Sequence, residues 1–147
     1  MIRSLGRIPG RVALTAAFVA VPLSGCIPER SYEMIIDLRD EEKAALSQTV
    51  AEIATRMGCR FEPGDDAWHD QGHPWRACNP ANLPMTKVVF DLQRAGSRIR
   101  VGVHEYVPSG PIRPEVEAYA AEVHKVVAEL FGAERITMKK TGWKPRP

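Results

Sequence analysis

The sequence predicts one α+β domain, a ferredoxin-like two-layer sandwich with two helices on one face of a four-stranded antiparallel sheet. Three observations lead to this prediction. Two amphipathic helical segments each follow a segment with strand periodicity, a β-hairpin separates them, and a last strand segment closes the chain. The order β-α-β-β-α-β is that of the split βαβ motif. Right-handed crossovers then place both helices on the same face, with the strands near Tyr32 and Arg98 in the centre of the sheet.

The first strand and helix are predicted from apolar spacing. From Tyr32 to Leu38 apolar side chains occupy every second position, and the second face is partly apolar too, which indicates a central strand. Asp40 is placed to cap the helix that follows, and Gly58 to end it. That helix carries one apolar stripe at helical spacing, formed by Leu46, Val50, Ile53 and Met57.

The hairpin is predicted together with its register. Its strands are Lys87–Leu92 and Arg98–Glu105, and a four-residue turn, 94–97, pairs Gln93 with Arg98. In this register Asp91 faces Arg100, a favourable cross-strand pair, and a shift of one residue would destroy the pattern. The apolar pairs on the opposite face are Leu92 with Ile99, Phe90 with Val101, and Val88 with Val103.

The second helix opens at Pro114 and ends at Gly132. Its expected buried stripe is Val116, Ala120, Val123, Val127 and Leu130. The last strand is expected over Arg135–Lys140, with Ile136 and Met138 on one face. The segment from Cys59 to Pro84 does not fit this plan, and a loop of that length is uncommon unless it is functional or disordered.

The N-terminus has the three parts of a secretory signal. Three arginines, at positions 3, 7 and 11, precede the uncharged segment 12–21, which is too short to span a bilayer as a helix. The ending Leu23-Ser24-Gly25-Cys26 resembles the lipobox of bacterial lipoproteins. The resemblance implies diacylglyceryl transfer to the Cys26 sulfur, cleavage before Cys26 and acylation of the new amino group. Two or three acyl chains give a stable anchor. The alternative is an ordinary signal peptide with a chance cysteine.

This interpretation divides the chain into a signal peptide (1–25), a lipidated tether (26–31), a single domain (32–142) with a disulfide-pinned loop (59–84), and a flexible tail (143–147). In enteric bacteria an Asp after the lipidated cysteine favours the inner membrane, so Ile27 favours the outer membrane, facing the periplasm. Removing residues 1–25 leaves 17 basic and 18 acidic side chains, a net charge of −1. This charge argues against a nucleic-acid partner, which requires a basic footprint.

Cys59 and Cys78 remain once Cys26 is lipidated. An even pair in an exported protein predicts a disulfide. The alternative is a pair of thiols that bind metal or do redox work, although the gap is not a Cys-x-x-Cys spacing.

The segment between these cysteines is the first candidate site. Large aromatic side chains on a pinned loop are typical of a binding surface, which gives Trp68, His69, Trp75 and Arg76 as partner-binding residues. The alternative is that both tryptophans fold back over the open edge of the domain. No metal is expected, but a second alternative is a metal site formed by His69, Asp70 and His73, with Asp65 or Asp66 as a further ligand.

The sheet face turned away from the helices is the second candidate. The hairpin register places Lys87, Val89, Asp91, Gln93, Arg98, Arg100 and His104 on it. Such a face can be solvated, can dimerise or can receive a partner.

The sequence contains no nucleophile elbow, phosphate loop or dinucleotide fingerprint, so we expect neither an enzyme nor a cofactor. The expected function is a non-enzymatic, membrane-anchored module that binds an envelope protein, as an envelope accessory or as an immunity or inhibitor protein. The alternatives are a metal carrier or metal-dependent hydrolase, and a purely structural accessory lipoprotein.

Overall fold

A computed structural model describes residues 29–64, 68–70, 74–107 and 111–142. The signal segment, Cys26 and the tail 143–147 lie outside these residues. The strands are β1 (Glu29–Asp37), β2 (Cys59–Phe61), β3 (His69–Asp70), β4 (Pro74–Pro80), β5 (Thr86–Gln93), β6 (Arg98–Tyr106) and β7 (Thr137–Thr141). The helices are α1 (Asp40–Ala44), α2 (Leu46–Arg56) and α3 (Pro114–Phe131). None of the described helices is long and apolar enough to span a bilayer.

The sheet corrects the predicted fold. Six strands lie in the order β2-β4-β5-β6-β1-β7, every neighbouring pair is antiparallel, and the two-residue β3 pairs with β4. The prediction of a four-stranded ferredoxin-like sandwich is therefore wrong, because this sheet is larger and three helices accompany it. The α+β class is correct. The additional strands come from segment 59–84, which was expected to be a loop.

Tertiary contacts explain why this segment forms strands. The local sequence of β4 does not favour a strand, because β4 begins and ends with proline, which cannot donate to a strand ladder and is confined to strand ends and edges. Cys59 and Cys78 form a disulfide with their Cα atoms 5.4 Å apart, which confirms the predicted pairing and joins β2 to β4. β4 then pairs along β5, with Cys78 opposite Val88.

The hairpin has the predicted register. Gln93 lies opposite Arg98 and Asp91 opposite Arg100, and the three apolar pairs fall on the other face. The side-chain pattern of these two strands was thus enough to predict their register.

The other boundaries differ from the prediction at several ends. β1 begins at Glu29, not Tyr32, because its first residues already pair with the end of β6. The first predicted helix is two helices that meet at Ala45, and α1 contributes no buried residue. Asp40 is the first helical residue, while Arg39 is the N-cap and donates its backbone N–H to the Glu42 carboxylate at 2.7 Å.

The second half is closer to expectation. α3 begins at Pro114 and ends before Gly132, whose φ of 92° lies in the region that favours glycine. Leu130 is only half-buried, and Phe131 is buried instead. The last strand is Thr137–Thr141, and all of its residues are exposed because β7 is a sheet edge.

One hydrophobic core lies between the sheet and the helices. Its helical part comes from α2 and α3, and the sheet contributes alternate residues of its central strands. The largest fully buried apolar side chains are Met34, Ile36, Val50, Ile53, Val88, Phe90, Ile99, Val101, Val103, Val116 and Val123. We call the opposite side of the sheet the outer face, and no described helix contributes to a core there.

Candidate functional site

The four predicted partner-binding residues lie on opposite sides of one sheet edge. Neighbouring residues of a strand point to opposite faces. Arg76 is paired with Phe90, a core residue, whereas Trp75 is paired with Asp91, which lies on the outer face. The structure therefore brings the four together in pairs rather than as one surface.

Trp68 and Arg76 lie on the helix side. The Trp68 Nε1 donates to the Ser47 hydroxyl of α2 at 3.0 Å, and its ring packs against the core. Arg76 is only 6% exposed, and its guanidinium carbon lies 4.1 Å from the centroid of the Phe61 ring and 5.9 Å from that of Trp68. Trp68 therefore packs the segment between the cysteines against α2, as the alternative of folding back over the edge requires, and Arg76 packs against Phe61 and Trp68.

His69 and Trp75 lie on the outer face, where we call them the aromatic corner. They are direct partners in the β3–β4 ladder, and their rings stack with centroids 4.5 Å apart and an interplanar angle of 27°. Both side chains are half-buried. Two stacked rings on paired strands form a rigid surface with apolar and polar atoms, which suits contact with another protein.

A charged row adjoins the aromatic corner. Asp91, opposite Trp75, accepts a hydrogen bond from the Arg100 Nη2 at 2.5 Å, and the Arg100 Nη1 lies 3.5 Å from the Glu33 carboxylate. Asp91 and Glu33 are buried, whereas the Arg100 side chain stays about one-third exposed. One arginine thus compensates two buried carboxylates while its side chain stays partly exposed.

Sequence reasoning found part of this row. The hairpin register gives the Asp91–Arg100 pair, but Glu33 was missed. Its signal is its position in β1: Glu33 alternates with the core residues Tyr32 and Met34, so it faces the side of the sheet that carries Arg100.

His104 covers the middle of the outer face. Its ring lies over Gly102, where an added β-carbon would come well inside van der Waals contact of the His104 Nε2. His104 is buried although it belongs to the face away from the helices. A strand glycine here provides the space in which a ring can lie flat on the sheet.

The alternative metal site draws on residues that are only partly described. His69 stacks on Trp75, whereas the side chain of Asp70 and all of His73 lie outside the described residues. Within the described ranges, no group of three or more potential metal ligands occurs.

A groove that was not predicted from the sequence lies between α3 and β7. This groove has a volume of about 290 Å³, and Tyr32 lines it and donates its hydroxyl to Glu117 at 3.1 Å. Burial and the nearby Glu117 carboxylate raise the pKa of Tyr32 to about 12. Met138, expected on the same face of the last strand as Ile136, lines this groove and is 44% exposed.

The chain matches no protein-family model, no curated protein and no solved structure.

Proposed function

We propose that this chain is a lipid-anchored protein of the bacterial cell envelope that acts as a non-enzymatic protein-binding module. Cys26 would carry the lipid, and the domain would face the periplasm from the outer membrane. The partner is an envelope protein, bound in an accessory role or in an immunity or inhibitor role. The observation that carries the proposal is the aromatic corner, two stacked rings at the edge of a sheet face that no described helix covers.

The chemistry of this corner supports protein binding. Aromatic side chains and arginine are enriched at protein interfaces and dominate their energetics. His69 and Trp75 provide the aromatic area. Asp91 is paired with Trp75 on one side and with Arg100 on the other, so Arg100 lies two strands from Trp75 in the same line across the sheet. Contacts with a partner here would order few additional side chains, because ring stacking and the ion pair already hold them.

The disulfide supports the same proposal. It joins Cys59 in β2 to Cys78 in β4, and both residues of the aromatic corner lie between these cysteines in the sequence. A cross-link that closes this segment limits its conformations before any partner arrives. A pre-organised loop loses less entropy on binding than a free one.

The corner is also distant from the proposed anchor. Trp75 is paired with Asp91, Asp91 with Arg100, and Arg100 with Ile35. These four residues therefore lie side by side across the sheet. Ile35 lies six residues along β1 from Glu29, which corresponds to about 20 Å of strand. The corner therefore lies well away from the end of the sheet where the tether enters, which leaves room for a second protein.

The experiment is a cross-linking capture from the native envelope with the full lipoprotein as bait. Trp75→Ala removes half of the aromatic corner, and Trp68→Phe changes a tryptophan of the same segment on the helix side as the matched control. We expect a partner that wild type and Trp68→Phe both capture and that Trp75→Ala loses, with all three baits folded. Identical partners on all three baits, or none on any, would contradict the proposal.

A further inference from the structure

The position of the proposed lipid anchor decides which end of the domain meets the membrane. Cys26 precedes Glu29, the first residue of β1, by three residues. Three residues span at most about 11 Å even when fully extended. An acylated Cys26 must therefore hold the beginning of β1 close to the bilayer surface.

The strand register identifies what else lies at this end. Glu29 is paired with Tyr106, the last residue of β6. The Tyr106 N–H donates to the carbonyl oxygen of Met85 at 2.8 Å, so Met85 lies level with the start of β1. Lys87 follows two residues later on β5 and is exposed. We call Met85, Lys87 and Tyr106 the anchor-end patch.

Met85 is an unusual residue for this place. Its side chain is 56% exposed, the largest value among the large hydrophobic side chains of the described residues. Its φ of 59° lies in the left-handed region, which a bulky residue rarely adopts. A water-facing loop would favour glycine or asparagine at such a position.

The loop that carries Met85 is firmly held. Arg113, just before α3, donates from its Nη2 to the Pro84 carbonyl at 2.6 Å and to the Thr86 hydroxyl at 3.1 Å. The same guanidinium donates from its Nε to the fully buried Glu105 at 2.5 Å. The residues on both sides of Met85 are thus tied to the domain, and its exposure is a fixed feature.

The chemistry of the patch matches a membrane surface. An apolar thioether side chain can enter the boundary between headgroups and acyl chains, and tyrosine is enriched at that level of the bilayer. Lysine places its aliphatic part along apolar surface and its charge among the phosphates. A groove of about 520 Å³ lies among these three residues, Thr86 and Asn79.

We infer that the anchor-end patch rests on the bilayer surface, with Met85 in the interface and Tyr106 and Lys87 at headgroup level. This inference rests on the proposed function, because the lipid on Cys26 brings the patch to the membrane. Its consequence is a defined orientation, with β1 rising from the bilayer and the aromatic corner turned away from it.

The test places one polarity-sensitive fluorophore on the full lipoprotein in vesicles of phosphatidylethanolamine and phosphatidylglycerol. Met85→Cys supplies the labelling site, since Cys59 and Cys78 are joined and a lipidated Cys26 is blocked. Met138→Cys is the matched control, an exposed methionine opposite Met34, about 17 Å along β1 from Glu29. We expect a blue shift and quenching by spin-labelled lipid at position 85, and neither at position 138.

Mass spectrometry of the same protein separates the two ways of failing. Lipidated protein whose probe at position 85 stays in water, or shifts no more than the probe at position 138, overturns this inference and leaves the proposed function standing. Protein without lipid on Cys26 overturns both.

Discussion

Arg113 and Glu105 form an ion pair at the point where α3 meets the sheet. The Arg113 Nε donates to the Glu105 Oε1 at 2.5 Å, and the Arg113 backbone N–H donates to the Oε2 at 3.3 Å. Glu105 is fully buried, on the same face of β6 as the core residues Val101 and Val103. A carboxylate in that position requires a cation, and this one comes from the residue that precedes the helix.

Removal of the cation should therefore destabilise the domain strongly. We expect Arg113→Met to lower the free energy of unfolding by about 3 kcal/mol, because a buried charge is left uncompensated. Urea denaturation measures the loss. Arg98→Met is the control: its partner Asp37 has a side chain that is 76% exposed, so little stability should be lost. A loss of stability in Arg113→Met as small as that in Arg98→Met would show that Glu105 does not depend on Arg113.

The sequence predicted those parts of the fold in which apolar spacing alone decides the structure. The β5–β6 hairpin has one register that places its apolar pairs on the same face, and α3 has a proline at its start and a glycine at its end. Both elements follow from local chemistry and side-chain period.

The same reasoning could not find β2 and β4. β2 has only three residues, too few to show a side-chain period. β4 begins and ends with proline, a residue that argues against a central strand. Their pairing depends on the disulfide and on β5, contacts that are distant in sequence. The same limit applies to the candidate site. Trp75 and Arg76 are neighbours in β4 and point to opposite faces of the sheet, which cannot be predicted while β4 is taken for a loop.

Gly102 and His104 give a second prediction. Alanine in place of a strand glycine normally stabilises a sheet. Here the added methyl group would meet the His104 ring, so we expect Gly102→Ala to destabilise the domain by about 1–3 kcal/mol. Thermal unfolding of the single and double variants measures this. In a His104→Ala background Gly102→Ala should become neutral or stabilising, and a penalty that persists there would refute the contact.

The disulfide should contribute a large part of the stability. Its two cysteines are 19 residues apart, which corresponds to about 3 kcal/mol in the chain-entropy model. We expect reductant to lower the unfolding temperature of the wild type, and the Cys59→Ala/Cys78→Ala variant to unfold at that lower temperature with or without reductant. A wild type that is insensitive to complete reduction would be inconsistent with this role.

Acid should weaken the contact between α1 and the segment before β7. Arg135 donates from Nη1 and Nη2 to the two Glu42 carboxylate oxygens, at 2.5 and 2.8 Å. These hydrogen bonds lower the pKa of Glu42 from 4.5 to about 2, and the Arg39 N–H adds to the effect. Because the pKa is lower in the folded state, the stabilisation is complete above about pH 4.5 and is lost as the pH falls towards 2.

Replacement of the carboxyl group should remove this pH dependence. We expect Glu42→Gln to be less stable than the wild type at neutral pH and the difference to shrink between pH 4.5 and 2, as urea denaturation at each pH would measure. Glu122→Gln, an exposed change on α3, serves as the matched control and should follow the wild-type profile. A constant difference between Glu42→Gln and wild type across this range would mean that protonation of Glu42 does not couple to folding, and that Arg135 acts through its other hydrogen bonds, to the carbonyl oxygens of Asp37 at the end of β1 and Phe131 at the end of α3.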